Sequence, residues 1–292
     1  MPSGIYGLVD GISTVENWNI NDTRTSDSYV ASNTLNGTVR GGGIRAWDGG
    51  FSGRGNTPPV MPGEEFNFKG YTEPTSGTEG DTGITYDGQA LVNSVTVSWN
   101  WATNLILGWT VSFNGLPGLT YATAIPVLDT TIPTIGASCG TKVEYATTAA
   151  PTIFNEIPAI TQATLTITST LASEANSSTV AGGECWMGYS KGPIDWTLAM
   201  PQEDYIRGVD GYPLLGGFSL LRLYVDATDY WELRFGKMES YTNLVVDRNG
   251  GSTIARTLNL AMSATDGTTM GLIKQPAQVA TGPVWWGTPD TP

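Results

Sequence analysis

Apolar residues in this chain recur at every second position and almost nowhere at helical spacing. Val95-Thr96-Val97-Ser98-Trp99-Asn100-Trp101 puts Val, Val, Trp and Trp on one face and Thr, Ser and Asn on the other. Trp109–Asn114, Leu165–Thr168 and Leu258–Ser263 repeat the pattern, and Trp231-Glu232-Leu233-Arg234-Phe235 repeats it with charges outside. Successive side chains of a strand point to opposite faces. Period two with β-branched and aromatic residues therefore predicts strands with one buried face. The expected class is all-β. Ala102-Thr103-Asn104, Ala227-Thr228-Asp229 and Asp247-Arg248-Asn249-Gly250-Gly251 separate such runs and predict hairpins.

Residues 52–90, rich in Gly, Pro, Thr and Glu, predict a long loop, the kind that usually has a function. Residues 271–292 predict an irregular arm. Its adjacent Trp285 and Trp286 predict docking, because two tryptophans gain by leaving water.

The two halves share an order of landmarks, which predicts an internal duplication. Trp47 in Ile44–Asp48 matches Trp196 in Pro193–Thr197. Val60–Phe66, ending in Lys69-Gly70, matches Ala199–Tyr205, ending in Arg207-Gly208. The hairpin at 102–104 is set against that at 227–229. The matched positions lie 149, 139 and 125 residues apart, as expected if the first copy has longer loops. The expected division is a first β domain over 1–150 with the loop 52–90, a second over 151–270, and the arm 271–292.

The chain has no histidine. That excludes Ser-His-Asp and Cys-His catalysis and His-ligated metal. With 14 basic against 27 acidic residues, net −13, a basic face for nucleic acid is not expected. A 40% apolar share and ten tryptophans argue against disorder. Two cysteines make no disulfide framework, so Cys139 and Cys185 are expected as small buried hydrophobes. The start does not read as a signal peptide, and no apolar run is long enough to span a membrane. Glu64, Glu65, Glu73, Glu79, Asp81 and Asp87 read as a solvated acidic loop without calcium-loop spacing. Gly41-Gly42-Gly43 and Asn249-Gly250-Gly251 read as turns or bulges, and Trp99, Trp101 and Trp109 as a core face. No catalytic residue, metal ligand or cofactor is expected, and the chain is not expected to be an enzyme.

Gly41–Phe51 and Lys191–Met200, each ahead of a Met-Pro-acidic stretch, together with the hairpins 94–114 and 218–236, resemble the major tail tube proteins of long-tailed, non-contractile bacteriophages. The resemblance covers residues 14–147 and 160–267. It implies two tandem β-sandwich or half-barrel tube domains with long amphipathic hairpins and long loops. It also implies three chains per pseudo-sixfold ring, and rings stacked into a tube. The implied partners are further copies of the chain, a tape measure protein, and tail terminator and tip proteins. DNA would pass through without specific binding, and no membrane is involved. The implied location is the virion tail, assembled in the host cytoplasm.

On that basis the lumen candidates are Thr96, Ser98, Asn100, Thr110 and Ser112 in the first copy, and Arg222, Glu232 and Arg234 in the second. The subunit-contact candidates are Met61, Glu64, Glu65, Phe66, Met200, Glu203, Asp204, Tyr205, Trp285 and Trp286. Two other expectations stand beside it. A capsid decoration or fibre protein would also be β-rich, acidic and non-catalytic. A carbohydrate-binding module would use the tryptophans and carboxylates.

Overall fold

A computed structural model describes residues 15–29, 39–72, 83–101, 107–124, 142–147, 150–158, 160–176, 179–202, 218–246, 254–262, 273–274 and 285–286. Its strands are β1 (Val15–Tyr29), β2 (Val39–Arg54), β3 (Glu65–Tyr71), β4 (Gly83–Asn100), β5 (Gly108–Gly115), β6 (Thr120–Ala124), β7 (Val143–Thr147), β8 (Ala150–Ile157), β9 (Gln162–Ser169) and β10 (Ala172–Glu174). They continue as β11 (Val180–Ala181), β12 (Glu184–Cys185), β13 (Gly188–Ser190), β14 (Ile194–Gln202), β15 (Phe218–Tyr224), β16 (Tyr230–Val246), β17 (Ile254–Met262), β18 (Ile273–Lys274) and β19 (Trp285–Trp286). The all-β class holds: among the described residues every named element is a strand.

The main sheet runs β1-β2-β5-β4-β9-β14-β17-β16-β15-β7-β8. β3 and β6 add to β4, and β18 adds to β16 and carries β19.

One pairing scheme occurs twice in this sheet. β2 pairs with β1 and β5, and β5 pairs with the later part of β4. β3 and β6 both pair with the earlier part of β4. Likewise, β14 pairs with β9 and β17, and β17 with the later part of β16. β15 and β18 both pair with the earlier part of β16. β4 and β16, of 18 and 17 residues, each carry register shifts, at Val92/Ser94 in β4 and at Met238/Ser240 and Thr242/Val245 in β16. Bulges bend a strand, so each long strand leaves one layer and enters the other.

A tryptophan fills the space between layers in both halves. A Cβ added to Gly88 on β4 would lie 2.8 Å from Cζ2 of Trp47 on β2. One added to Gly236 on β16 would lie 2.8 Å from Cη2 of Trp196 on β14. Both rings are fully buried, so each glycine is where an indole needs the room. In the first half Phe68 of β3 closes the layer against Phe113 at 5.0 Å and Trp18 at 5.6 Å.

The second and third landmark pairs of the sequence are corrected by this scheme: Met200 lies in β14, the counterpart of β2, whereas Met61 lies in the β2–β3 connection. The turn at 227–229 joins β15 to β16, whose counterparts are β3 and β4. The counterpart of the β4–β5 connection is that between β16 and β17. β5 starts at 108 and β17 at 254, so the spacing stays near the Trp47–Trp196 value instead of falling.

The two halves share a sheet and a core. β4 pairs with β9 from Ser94–Thr168 to Asn100–Gln162. Val95 and Val97 thereby stand between Val111 and Trp109 on one side and Ile167 and Leu165 on the other, all buried. Trp99 meets Trp231 edge to face at 5.9 Å, Trp231 donates to the Asn56 carbonyl at 3.0 Å, and Trp101 donates to the Tyr224 carbonyl at 3.2 Å. Each large side chain buried here is worth about 1.5–3 kcal/mol. β8, which begins at Ala150, the expected end of the first domain, pairs with β7, and β7 pairs with β15.

The stretch 52–90 is not one long loop. β2 runs to Arg54, β3 occupies Glu65–Tyr71 and β4 begins at Gly83. The turn residues concentrate at 55–64, while 73–82, with Glu73, Glu79 and Asp81, lie outside the described residues. β3 alternates as a half-buried strand does, with Glu65, Asn67 and Lys69 on its solvent side and Phe66, Phe68 and Gly70 on the inner one, and the Gly- and Pro-rich stretches on either side obscure it. The Gly41–Gly43 run lies in β2 opposite the register shift at Arg24/Ser26, as a bulge. Cys185 is exposed, not buried, because it sits in the two-residue β11–β12 hairpin. Cys139 and the 249–251 run lie outside the described residues.

Candidate functional site: an uncharged polar sheet face

Because side chains alternate, burying one face of the main sheet sets the other face's chemistry by register. Residues in register across strands form continuous rows. Asn17, Ser52, Thr110, Thr96, Thr166 and Thr197 make one row over β1, β2, β5, β4, β9 and β14. Asn19, Gly50, Ser112, Ser94, Thr168 and Asp195 make a second. A third runs Arg54, Gly108, Ser98, Thr164, Ala199, Asn259 and Ser240, crossing both halves to β17 and β16. Charge enters these rows only at Asp195 and Arg54, at one end of the second and third, and small, hydroxyl or amide side chains make up the rest; exposed Asp48 stands on the same face between Asn21 and Asn114. Ser98, Thr110, Thr164, Thr168 and Thr197 are exposed. Cross-strand Thr–Thr and Thr–Ser pairs add about 0.2–1 kcal/mol each, so the rows also stabilise the sheet.

The first-copy lumen candidates Thr96, Ser98, Thr110 and Ser112 are thus brought together on one face, and Asn100 joins them opposite Gln162. The sequence reading missed Thr164, Thr166, Thr168 and Thr197 as members. The alternation in Leu165–Thr168 was visible, but the β4–β9 and β9–β14 neighbours are non-local. Over β1, β2 and β5 the face has a groove of about 570 Å³, lined in part by Asn17, Asn19, Asp48, Gly49, Gly50 and Asn114. Asn93, the extra residue of the β4 bulge, donates to Asn114 at 2.7 Å.

Arg222, Glu232 and Arg234 lie elsewhere. They belong to β15 and the earlier part of β16, the counterparts of β3 and the earlier part of β4. The positions matching Thr96 and Thr110 are Thr242 and Thr257. Glu232 is 2% exposed and cannot line an open wall. Arg222 binds it at 3.0 Å and Arg234 at 2.9 Å, and the Arg222 guanidinium lies 3.6 Å from the centre of the Phe154 ring. This set forms a charge ladder with Glu144, which holds Lys142 and the Tyr224 hydroxyl. Burial pushes the Glu144 carboxyl up, but those two hydrogen bonds outweigh it and leave its pKa below the usual value.

A second ionic cluster locks the halves together. Arg45 on β2 is held by Asp22 at 2.9 and 2.6 Å and by Glu184 at 2.8 Å, and it stacks on Trp186 at 4.5 Å. Tyr121 hydrogen-bonds both Arg45 and Asp22. Hydrogen bonds from Arg45 hold the Asp22 carboxyl below the usual carboxylate range against the opposing effect of burial.

Met61 and Met200 are buried in the chain's own core, which removes them as subunit contacts. Glu65 is exposed and Phe66 half-buried, packing edge to face on Phe113 at 5.4 Å. Glu64 is exposed as a residue, yet its carboxylate turns back to accept the Met61 N–H at 2.8 Å; burial of the carboxyl raises its pKa, and that hydrogen bond opposes the rise. Glu203, Asp204 and Tyr205 lie outside the described residues, as do the Trp285 and Trp286 side chains. The Trp285–Trp286 backbone pairs with β18, which pairs with β16, so these two residues join this chain's own sheet.

Among the described residues no group of three His, Cys, Asp or Glu side chains is placed to hold a metal. No protein-family model matches the chain, and no curated protein is similar to it.

Proposed function

We propose that this chain is a self-assembling structural protein whose sparsely charged polar sheet face lines a passage, as in the tubes that major tail tube proteins build around DNA. The observation that carries this reading is the row from Gly108 to Ser240, which crosses six strands without a charged side chain. A phosphate backbone sliding over such a wall meets no cation between Gly108 and Ser240, and the net charge of −13 repels it at longer range. Two matching pairing schemes in one chain make a ring of three chains a ring of six near-equivalent units. On this reading the chain is a component of a virion tail, assembled in the host cytoplasm. Its principal partner is itself, with tape measure, terminator and tip proteins acting on the assembled tube. Its task is mechanical and involves no catalysis.

The test is negative-stain electron microscopy of the purified protein at high concentration. Hollow rings or tubes of constant width are expected. Compact monomers that attach only to a preformed capsid lattice would contradict the reading in favour of decoration.

A further inference from the structure

The seam between the halves is a complete example of one repeat bound to the next. β4 closes the first scheme, β9 opens the second, and they pair antiparallel with Thr96 opposite Thr166. The repeated scheme identifies the same positions at the outer ends. Thr110 pairs with Ser52 and Thr96, and Thr257 pairs with Pro201 and Thr242, so Thr242 corresponds to Thr96. Asp48 and Thr197 each follow the interlayer tryptophan, and they pair with Asn21 and Thr166, so Asn21 corresponds to Thr166. Among the described residues β1 pairs with β2 alone, and the part of β16 from Ser240 to Val246 pairs with β17 alone.

We infer that the later part of β16 in one copy pairs antiparallel with β1 of a second copy, in the register that sets Thr242 opposite Asn21. The inference rests on the reading of the chain as self-assembling and names the contact that assembles it.

Three observations select a second copy as the occupant. The internal seam shows that these two kinds of edge fit each other. β1 is a 15-residue edge with neither lysine nor proline, and its charged Glu16, Asp22 and Arg24 are paired within the chain, with Arg54, Arg45 and Glu184. β8, at the opposite end of the sheet path, carries Pro151 and is guarded. Finally, Asn17, Asn19 and Asn21 are exposed and continue the polar rows, so the joined sheet keeps one polar face on which Asp48, opposite Asn21, is a charged exception. The two edges belong to opposite ends of one chain. Their contact is therefore heterologous and propagates until a ring closes.

The test uses the full chain with Cys139→Ser and Cys185→Ser, carrying either Asn21→Cys or Thr242→Cys. Directly opposed residues of an antiparallel pair have Cα atoms about 4.5–5.5 Å apart, within disulfide range. Mixing the two variants under mild oxidation is expected to give disulfide-linked dimers at least about five times more abundant than with either alone. The double variant is expected to give a ladder ending in a closed covalent ring. No excess of mixed dimer would overturn the pairing.

Proline at Ile20 and at Asn21 is an independent check. Successive N–H groups point to opposite edges, so one of the two removes an outward donor and leaves the β2 ladder intact. That variant is expected to stay folded and monomeric by sedimentation. Wild-type oligomers from both would overturn the inference. Covalent rings that never stack would keep the pairing and sink the tube. Hollow tubes without the 21–242 disulfide would keep the tube and sink the pairing.

Discussion

Trp47 and Trp196 show most directly how single residues shape this molecule. Each indole lies where a side chain on the facing strand would otherwise be, and Gly88 and Gly236 make that room. Gly88→Ala and Gly236→Ala should each cost about 1–3 kcal/mol through overpacking, read as a lower urea midpoint. A neutral effect at either site would contradict the equivalence of the two contacts. The Arg45 cluster gives a second prediction. Asp22 has a lower pKa folded than unfolded, so its stabilisation is present above the unfolded pKa, near 4, and is lost as pH falls through the folded value. The melting temperature should drop between about pH 5 and pH 2, and Asp22→Asn should drop less over the same range. An equal fall in both would remove Asp22 from the acid response. The tryptophan landmarks were legible in the sequence. The glycine partners were not, because glycine abounds in this chain and only the fold says which one faces a ring.

At the scale of elements, β4 passes between layers by means of its bulge. Val92 pairs with Phe113 and Ser94 with Ser112, leaving Asn93 as the extra residue. Deleting Asn93 would leave Val92 opposite Phe113 and Ser94 opposite Ser112, so Val95, Val97 and Trp99 stay inward, but it would remove the bend that carries β4 between layers. The thermal midpoint should fall. Asn93→Ala, which removes only the hydrogen bond to Asn114, should cost about 0.5–1.5 kcal/mol. Cooperative unfolding of the deletion variant near the wild-type temperature would refute this role. Period-two patterning revealed β5, β9, β17 and the later part of β4, since half-buried strands alternate. It did not reveal β3, nor the earlier part of β4, where Gly83, Asp87 and Gly88 resemble turn chemistry. It also set the second-copy counterparts of Thr96 and Thr110 on the wrong part of the sheet. Trp231–Phe235 alternates as cleanly as Val95–Trp101, and alternation carries no information about which layer a strand enters.

For the whole molecule, the decisive property is a sparsely charged polar face shared by two halves that pair their strands alike. A wall of this kind should be indifferent to DNA. Thr96→Arg with Thr166→Arg should create salt-sensitive binding of short duplex DNA where the natural chain has none, measured by fluorescence anisotropy. Salt-independent binding by the natural chain would contradict the account of the face. The acidic balance and the lack of histidine were enough to steer the reading away from catalysis. The order of strands was not legible, because β4–β9 and β14–β17 join segments far apart in sequence.

The most direct measurement is a cryo-electron microscopy reconstruction of the assembled protein at side-chain detail. The account predicts a hollow ring or tube with Thr96, Thr110, Thr166 and Thr197 facing the bore and six near-equivalent lobes around it. An assembly with those residues on its outer surface, or buried between rings, would contradict it.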